Sequence, residues 1–309
     1  MKRKHCLLFT LIITSLYLTS CNVKSSEKEL DIDKESIKTK IITDDIEKKA
    51  SSKSEKSEKV NKLPWEKNEE FKKAIEKIET RVLMSAYRTV LRDPLPGEEY
   101  NVHLAAKSLA GIVVPPGAVF SQNASIGPYT ESKGYKKGPT YMGPKITTTE
   151  GGGVCKIAST LYNVAIYSNL EVVERYNHTM PVPYVPYGQD ATVAYGFKDL
   201  KFKNNTDFPI LIWAEGIENR LYIGFYGKEK PPKVEWHHET LEIREANIQY
   251  INNPKLKKND EKMIIEGMDG ALIKSWVTIE DETGNIKTKN LRNSSYLPMP
   301  YVIETNKEK

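Results

Sequence analysis

Three consecutive glycines, Gly151-Gly152-Gly153, run straight into Val154-Cys155 and a helical pattern in which Ile157, Leu161, Val164 and Ala165 share one face. A backbone without side chains at the head of a helix can approach another group closely and aim N–H groups at it. The fold must therefore seat a tight turn, a helix N-terminus and a thiol at one place. That thiol also lacks a partner. Of the three cysteines, Cys6 lies in an N-terminal export segment and Cys21 lies where that segment should be cut. Cys155 is left unpaired in a chain bound for an oxidising compartment, where an unpaired thiol is either buried or used.

The export reading starts from Met1-Lys2-Arg3-Lys4 and the apolar run Leu7 to Leu18, broken only by hydroxyl residues. The run is too short for a bilayer, which needs about 20 apolar residues, and fits a secretory h-region. It ends in Leu18-Thr19-Ser20-Cys21, which resembles the lipobox of bacterial lipoproteins. That resemblance implies a signal peptide over 1–20, diacylglycerol on the Cys21 sulfur, and a protein tethered to the membrane by its lipid. No other segment is apolar enough to span a membrane. The formal net charge is only +5, with acidic residues among the basic ones. Without a basic stripe carrying aromatics, no nucleic-acid partner is expected.

Composition divides the remainder. Residues 21–62 are Lys, Glu, Asp, Ser and Ile with almost no aromatics, and Ser51 to Lys59 is the extreme. Such a stretch cannot bury enough surface to offset its ordering entropy, so a disordered charged stalk is expected. Residues 63–97 are expected as a helical lead-in, with Phe71, Ile75, Ile78, Val82, Leu83 and Tyr87 at helical spacing and Leu95-Pro96-Gly97 as the stop. A short helix from His103 to Leu109 follows, then Gly- and Pro-punctuated loops to Tyr141. After the Cys155 helix come strand-like runs at Leu170–Tyr176, Ala191–Tyr195, Leu200–Lys203, Ile210–Glu215 and Arg220–Tyr226. Lys228–Lys233 reads as a linker. Residues 234–309 read as a β-rich C-terminal module, with a hairpin turn at Asp281-Glu282-Thr283-Gly284-Asn285.

Four blocks then carry a family resemblance. They are Pro116 to Asn123; Gly151 to Cys155 with Ser159-Thr160-Leu161-Tyr162-Asn163; His178-Thr179-Met180-Pro181-Val182; and Gly188-Gln189-Asp190-Ala191-Thr192-Val193. In this order they resemble the VanW family of bacterial envelope proteins, named for its association with glycopeptide-resistance gene clusters. The corresponding domain is 98–227. The resemblance implies a cell-envelope setting. The chain departs from the family pattern in having Lys156, where the family usually has Gln after the cysteine. Gly284 and Tyr296-Leu297-Pro298 also give the tail a weak similarity to G5-type β modules.

The chemistry follows from residue types and order. A thiol at a helix N-terminus is biased toward thiolate, the nucleophilic form. Backbone N–H groups from Gly153 to Cys155 could serve a developing oxyanion, with Gly152 beside them. His178 and Asp190 follow, expected on successive strands, as a base and the carboxylate that orients it, with Asp199 as the alternative carboxylate. That element order resembles papain-like and transglutaminase enzymes. The bland readings stand beside it: a buried structural thiol, a histidine bonded to its own turn, an aspartate capping a loop. A zinc site from Cys155, His178 and Asp190 is weighed and set aside, because the spacings match no compact zinc signature. Adjacent His237 and His238 on a strand would point to opposite faces. No metal and no cofactor is expected. Tyr129, Tyr135, Tyr141, Tyr184 and Tyr187 lie in loops around the candidate site and could either pack or stack on a glycan.

The sequence therefore predicts an α+β, papain/transglutaminase-like core, with a Cys-bearing helix on an antiparallel sheet and a small C-terminal β module. The function expected is a lipid-anchored thiol-dependent amide hydrolase or acyl transferase acting on peptidoglycan or its peptides. The other reading is a non-catalytic peptidoglycan-binding or envelope-assembly lipoprotein. The site set is Cys155, His178 and Asp190, with Gly152, Gly153, Tyr141 and Tyr187 on oxyanion or substrate, and Cys21 for lipidation.

Overall fold

In the computed structural model, which describes residues 56–92, 94–142 and 145–307, the run Ile210–Gly227 sets the architecture. Its residues alternate between two apolar environments. Ile210, Ile212, Ala214, Leu221, Ile223 and Phe225 face one core, and Leu211, Trp213 and Tyr226 face another. A period of two with both faces apolar makes a strand pair buried on both sides.

The chain reaches that pair through β1 (Glu58–Lys59), α1 (Glu69–Lys77), β2 (Val82–Val90), α2 (Glu98–Leu109) and β3 (Ile112–Val114). Next come β4 (Val119–Ser121), α3 (Gln122–Ile126), the hairpin β5 (Lys137–Met142) and β6 (Lys145–Glu150), and α4 (Cys155–Tyr167). Then β7 (Glu171–Glu174) and β8 (Lys201–Lys203) bracket a long irregular stretch before β9 (Ile210–Ile217) and β10 (Arg220–Gly227). The main sheet has the order β1-β2-β10-β9-β3 and is antiparallel throughout. α2 and α4 cover one face, where the Thr89 and Thr160 hydroxyls share a buried 2.7 Å hydrogen bond. α1 and the Trp65 loop cover the other, with Phe71 edge-on to Trp213 and the Trp65 indole donating to the Tyr226 hydroxyl at 2.8 Å.

The C-terminal half contains β11 (Lys233–Arg244), β12 (Ile248–Asn252), β13 (Glu261–Ile265), β14 (Gly270–Glu280), β15 (Ile286–Asn290), β16 (Ser294–Tyr296) and β17 (Tyr301–Thr305). β14 pairs with β11, β15 and β16, and β17 lies between β12 and β13. The half is joined to the first by Trp236 of β11, whose ring meets Tyr162 and Tyr167 of α4 edge-on.

Three expectations are corrected. The papain/transglutaminase-like α+β core is not what forms: strand makes up 40% of the structure and helix 17%, so it is mostly β. The analogy also needed His178 and Asp190 on successive strands, and both lie in the irregular stretch between β7 and β8. Pro181, Pro183 and Pro186 remove the N–H groups that a ladder would need there. The expected strand Ala191–Tyr195 is likewise absent, reduced to one bridge between Ala194 and Lys198. Finally, the helical lead-in stops at Lys77 and becomes a strand. Glu79 has φ 54°, and after it the β-branched and aromatic residues of β2 are held between β1 and β10. The export segment, Cys21 and most of the charged stretch lie outside the described residues. The part of that stretch within them includes β1, paired on Tyr87 and Arg88.

Candidate functional site

The glycine turn is built into the packing between α2 and the β5–β6 hairpin. Buried Asn101 of α2 donates to the Lys136 and Gly152 carbonyls at 2.8 and 3.0 Å and accepts from the Lys136 N–H at 2.8 Å. Gly151 and Gly153 have φ of 69° and 104°, a region that favours glycine. Gly152 lies so close to Gly138 that a side chain has no room. The glycines thus have a packing reason to be there.

Their N–H groups divide. Gly152 N–H is taken by the Thr149 carbonyl at 3.1 Å and Val154 N–H by the Gly151 carbonyl at 3.2 Å. Among the described residues, no backbone acceptor meets the N–H groups of Gly153 and Cys155. Gly152 N–H, by contrast, is already committed within the turn. Tyr187 is pinned elsewhere: its hydroxyl donates to the Asp269 carbonyl at 2.5 Å and its ring meets Tyr296. Tyr141 lies on β5, with its side chain outside the described residues. Tyr129, Tyr135 and Tyr184 are buried and pack, rather than presenting an open face.

Half-buried Cys155 opens α4, with its sulfur 3.4 Å from the Thr192 hydroxyl and 3.6 Å from the Val193 carbonyl. The His178 imidazole is the charge that acts on it. The Asp190 carboxylate can only accept, so the 2.6 Å contact between His178 Nδ1 and Asp190 Oδ2 carries the ring proton on Nδ1. Nε2 is left for the sulfur. Burial pushes the Cys155 thiol up, but His178, helped by Thr192, outweighs it and brings the thiol down to about 7. Burial pushes the His178 imidazole down, while its hydrogen bond to Asp190 and the charges of Asp190 and Cys155 raise it to about 9. The lowered thiol and the raised imidazole both favour the thiolate–imidazolium form of the pair.

Asp190 is almost fully buried and every lone pair is used. Oδ2 accepts from the His178 ring and from the His178 backbone N–H at 2.7 Å. Oδ1 accepts from Arg175 Nη2 at 2.9 Å and from the Tyr296 hydroxyl at 2.5 Å. Burial would raise its pKa, but His178 and Arg175 hold the carboxyl below its usual range. Arg175 also donates through Nε to the Asp190 carbonyl at 2.7 Å and through Nη1 to Ser294 Oγ at 2.8 Å. Asp199 takes no part; it accepts from Ser121 Oγ and the Asn123 N–H at the start of α3. Lys156, beside the thiol, turns back to pair with Glu98 and lies over the Tyr184 ring. The edge of that ring meets His178, with centroids 6.4 Å apart. Sequence reasoning missed Arg175, Thr192 and Tyr296. Thr192 alone had a signal, two residues after Asp190 in a motif block.

Residues 97–226 match the family described as VanW like protein, so the chain carries a VanW-like domain over this span. Protein YoaR of Bacillus subtilis is 37% identical over 146 residues, which is 47% of this chain and 48% of YoaR. The vancomycin B-type resistance protein VanW of Enterococcus faecalis is 32% identical over 157 residues, 49% of this chain and 55% of that protein. The chain therefore spans about half the length of these relatives. Among solved structures, the G5 domain of IgA1 protease aligns over 26% of this chain and 98% of its own, at 17% identity and a TM-score of 0.17. The G5 domain of HP0197 aligns over 24% and 97%, at 11% identity and a TM-score of 0.14.

Proposed function

We propose that this VanW-like chain is a cell-envelope thiol enzyme acting on an amide bond of peptidoglycan or its peptides. The observation behind the reading is the hydrogen-bonded pair of His178 and a saturated Asp190, with the imidazole acting on the Cys155 thiol and lowering it. A thiolate beside an imidazolium with a fixed tautomer suits nucleophilic acyl transfer. The Cys155 sulfur attacks the amide carbonyl, forming a C–S bond, and the carbonyl oxygen takes the negative charge. The N–H groups of Gly153 and Cys155 face that oxyanion. Collapse breaks the C–N bond, and the amine leaves with the proton from His178 Nε2. Water or an acceptor amine then attacks the thioester, gives its proton to His178 and restores the thiolate. The membrane anchor belongs to the same proposal and rests on the lipobox at Cys21.

A second reading is a peptidoglycan-binding envelope lipoprotein that performs no chemistry. Lys156, tied to Glu98 where the family usually has Gln, favours it. Incubation with peptidoglycan stem peptides, read by intact mass, separates the two. The enzyme reading expects an acyl adduct on Cys155 with release of an amine, both lost in Cys155→Ala. Binding to sacculi by both forms, with no adduct and no amine from either, supports the second reading and removes the first.

A further inference from the structure

The C-terminal half reaches into the site. Strand β16 lies far outside the 97–226 span, yet it and the residue after it, Leu297, grip the loop that carries His178 at three points. Asn177 Nδ2 donates to the Ser295 carbonyl at 2.8 Å, on one side of His178. The Leu297 N–H donates to the Thr179 carbonyl at 2.8 Å, on the other side. Between them, buried Tyr296 donates its hydroxyl proton to Asp190 Oδ1. The direction of that proton is set by a third group. The Gly188 N–H donates to the same phenol oxygen at 2.8 Å, so the hydroxyl's own proton is free to turn to Asp190. Ser294 completes the arrangement by accepting from Arg175, which holds the same carboxylate oxygen.

We propose that β16 is a working part of the reactive site, and that Tyr296 is a positioning residue fixing the Asp190–His178 pair against Cys155. The inference rests on the reading of Cys155 as a nucleophile. Tyr296 is well placed for this role: it is 1% exposed, its ring is held by Tyr187, and its partner strand β14 fixes it at Ala271. Rotation of the carboxylate would carry the imidazole with it, and with four donors on two oxygens it has no alternative orientation to adopt. The charged and titratable groups around the pair are Arg175, Tyr162, Tyr184 and Tyr129, with Glu98 and Lys156 beyond Tyr184.

Positioning and simple charge donation predict opposite signs. A phenol that only drew charge from Asp190 would, on removal, leave a stronger carboxylate, a more stable imidazolium and a thiolate formed at lower pH. A phenol that positions the carboxylate would, on removal, let the imidazole drift and the thiolate form at higher pH. The test is the pH profile of Cys155 alkylation by iodoacetamide in the full chain, with Tyr296→Phe keeping the ring and losing the hydroxyl. The expected result is a midpoint raised by at least about half a unit, which is about threefold slower labelling at pH 6. An unchanged or lowered midpoint overturns the proposal. A second readout is the downfield proton of the short His178–Asp190 hydrogen bond, expected in the wild type and broadened away in Tyr296→Phe. An undiminished signal also overturns it. A wild-type midpoint at the ordinary thiol value would sink the nucleophile reading, while the proton signal still judges the clamp. Should Tyr296→Phe fail to fold, Asn177→Ala loosens the same grip and must raise the midpoint in the same direction; no rise refutes the proposal.

Discussion

Gly152 and Gly138 meet backbone to backbone: a Cβ on Gly152 would stand 2.2 Å from the carbonyl carbon and oxygen of Gly138. No side-chain motion relieves such a contact, because both atoms belong to the β5 main chain. Gly152→Ala should therefore cost about 3 kcal/mol or more, as overpacking that only a backbone shift can absorb. Gly117 is the contrast, with φ 73° and open space around it. Its alanine variant should cost only the left-handed conformation, about 1–2 kcal/mol. Chemical denaturation of both variants checks the difference; equal losses would show that the Gly152 contact is not tight.

The thiol should titrate early. Wild-type Cys155 is expected to react with iodoacetamide with a midpoint near pH 7, against an ordinary value of 9.0. His178→Ala removes the neighbour that lowers it, and labelling at pH 6 should fall by at least about tenfold. Unchanged labelling in a folded His178→Ala variant would detach the imidazole from the thiol.

Stability should fall on the acid side and stay nearly level on the alkaline side. Asp190 has a depressed folded pKa, so its contribution is present above the unfolded value of 3.8 and is lost as pH falls toward the folded one. His178 has a raised folded pKa, so its contribution is complete below 6.5 and is lost as pH climbs through about 9. Cys155 has a lowered folded pKa, so its contribution grows as pH rises from about 7 toward 9 and offsets the loss from His178. Melting temperature should therefore fall below about pH 4 and stay nearly level from there toward 9. In Cys155→Ala, where Asp190 still raises His178, a decline above about pH 6.5 should appear; a profile as level as the wild type would show that the thiol is not what offsets the imidazole.

Arg175 neutralises a buried carboxylate, and both side chains are at most 5% exposed. Arg175→Ala leaves that charge without its partner and should cost about 3–5 kcal/mol. A loss below about 1 kcal/mol, read by denaturant unfolding, would mean that Tyr296 and His178 suffice to hold Asp190.

The anchor is tested directly. Replacing Cys21 by Ala should move the protein from the membrane fraction to the medium, or leave its signal uncut. Membrane retention with normal processing would contradict lipidation at Cys21.

The site was legible where chemistry and chain order coincide. The glycine run marked the head of α4, and a thiol expected to be exported without a partner pointed ahead to His178 and Asp190. What stayed hidden depends on distant contacts. Tyr296 is 106 positions from Asp190, and nothing local in Ser294-Ser295-Tyr296 signals a carboxylate. Arg175 closes an acidic, apolar run and reads as a strand's solvated end, while the structure turns it inward. The strand expected at Ala191–Tyr195 failed because its backbone is already committed. Ala191 N–H donates to Ser159 Oγ and Thr192 N–H to the Tyr176 carbonyl. The helix expected over residues 63–97 failed beyond Lys77 because Val82, Leu83 and Tyr87 fit three- and four-residue spacing as readily as they fit a pleat. Period alone could not separate them; the partners β1 and β10 decided it.

The sheet order also governs when this chain can fold. Apart from the two residues of β1, the partner of β2 is β10, which joins it to β9. An unfolded chain must close a loop from Val90 to Arg220 before β2 gains its inner neighbour. Closing so long a loop costs entropy before any contact returns it, which slows folding of non-local antiparallel sheets. Until that closure β2 presents an open edge, with Met84, Ala86 and Tyr87 uncovered. During synthesis or refolding, that edge is the place where this chain is most exposed to mispairing with another copy of itself.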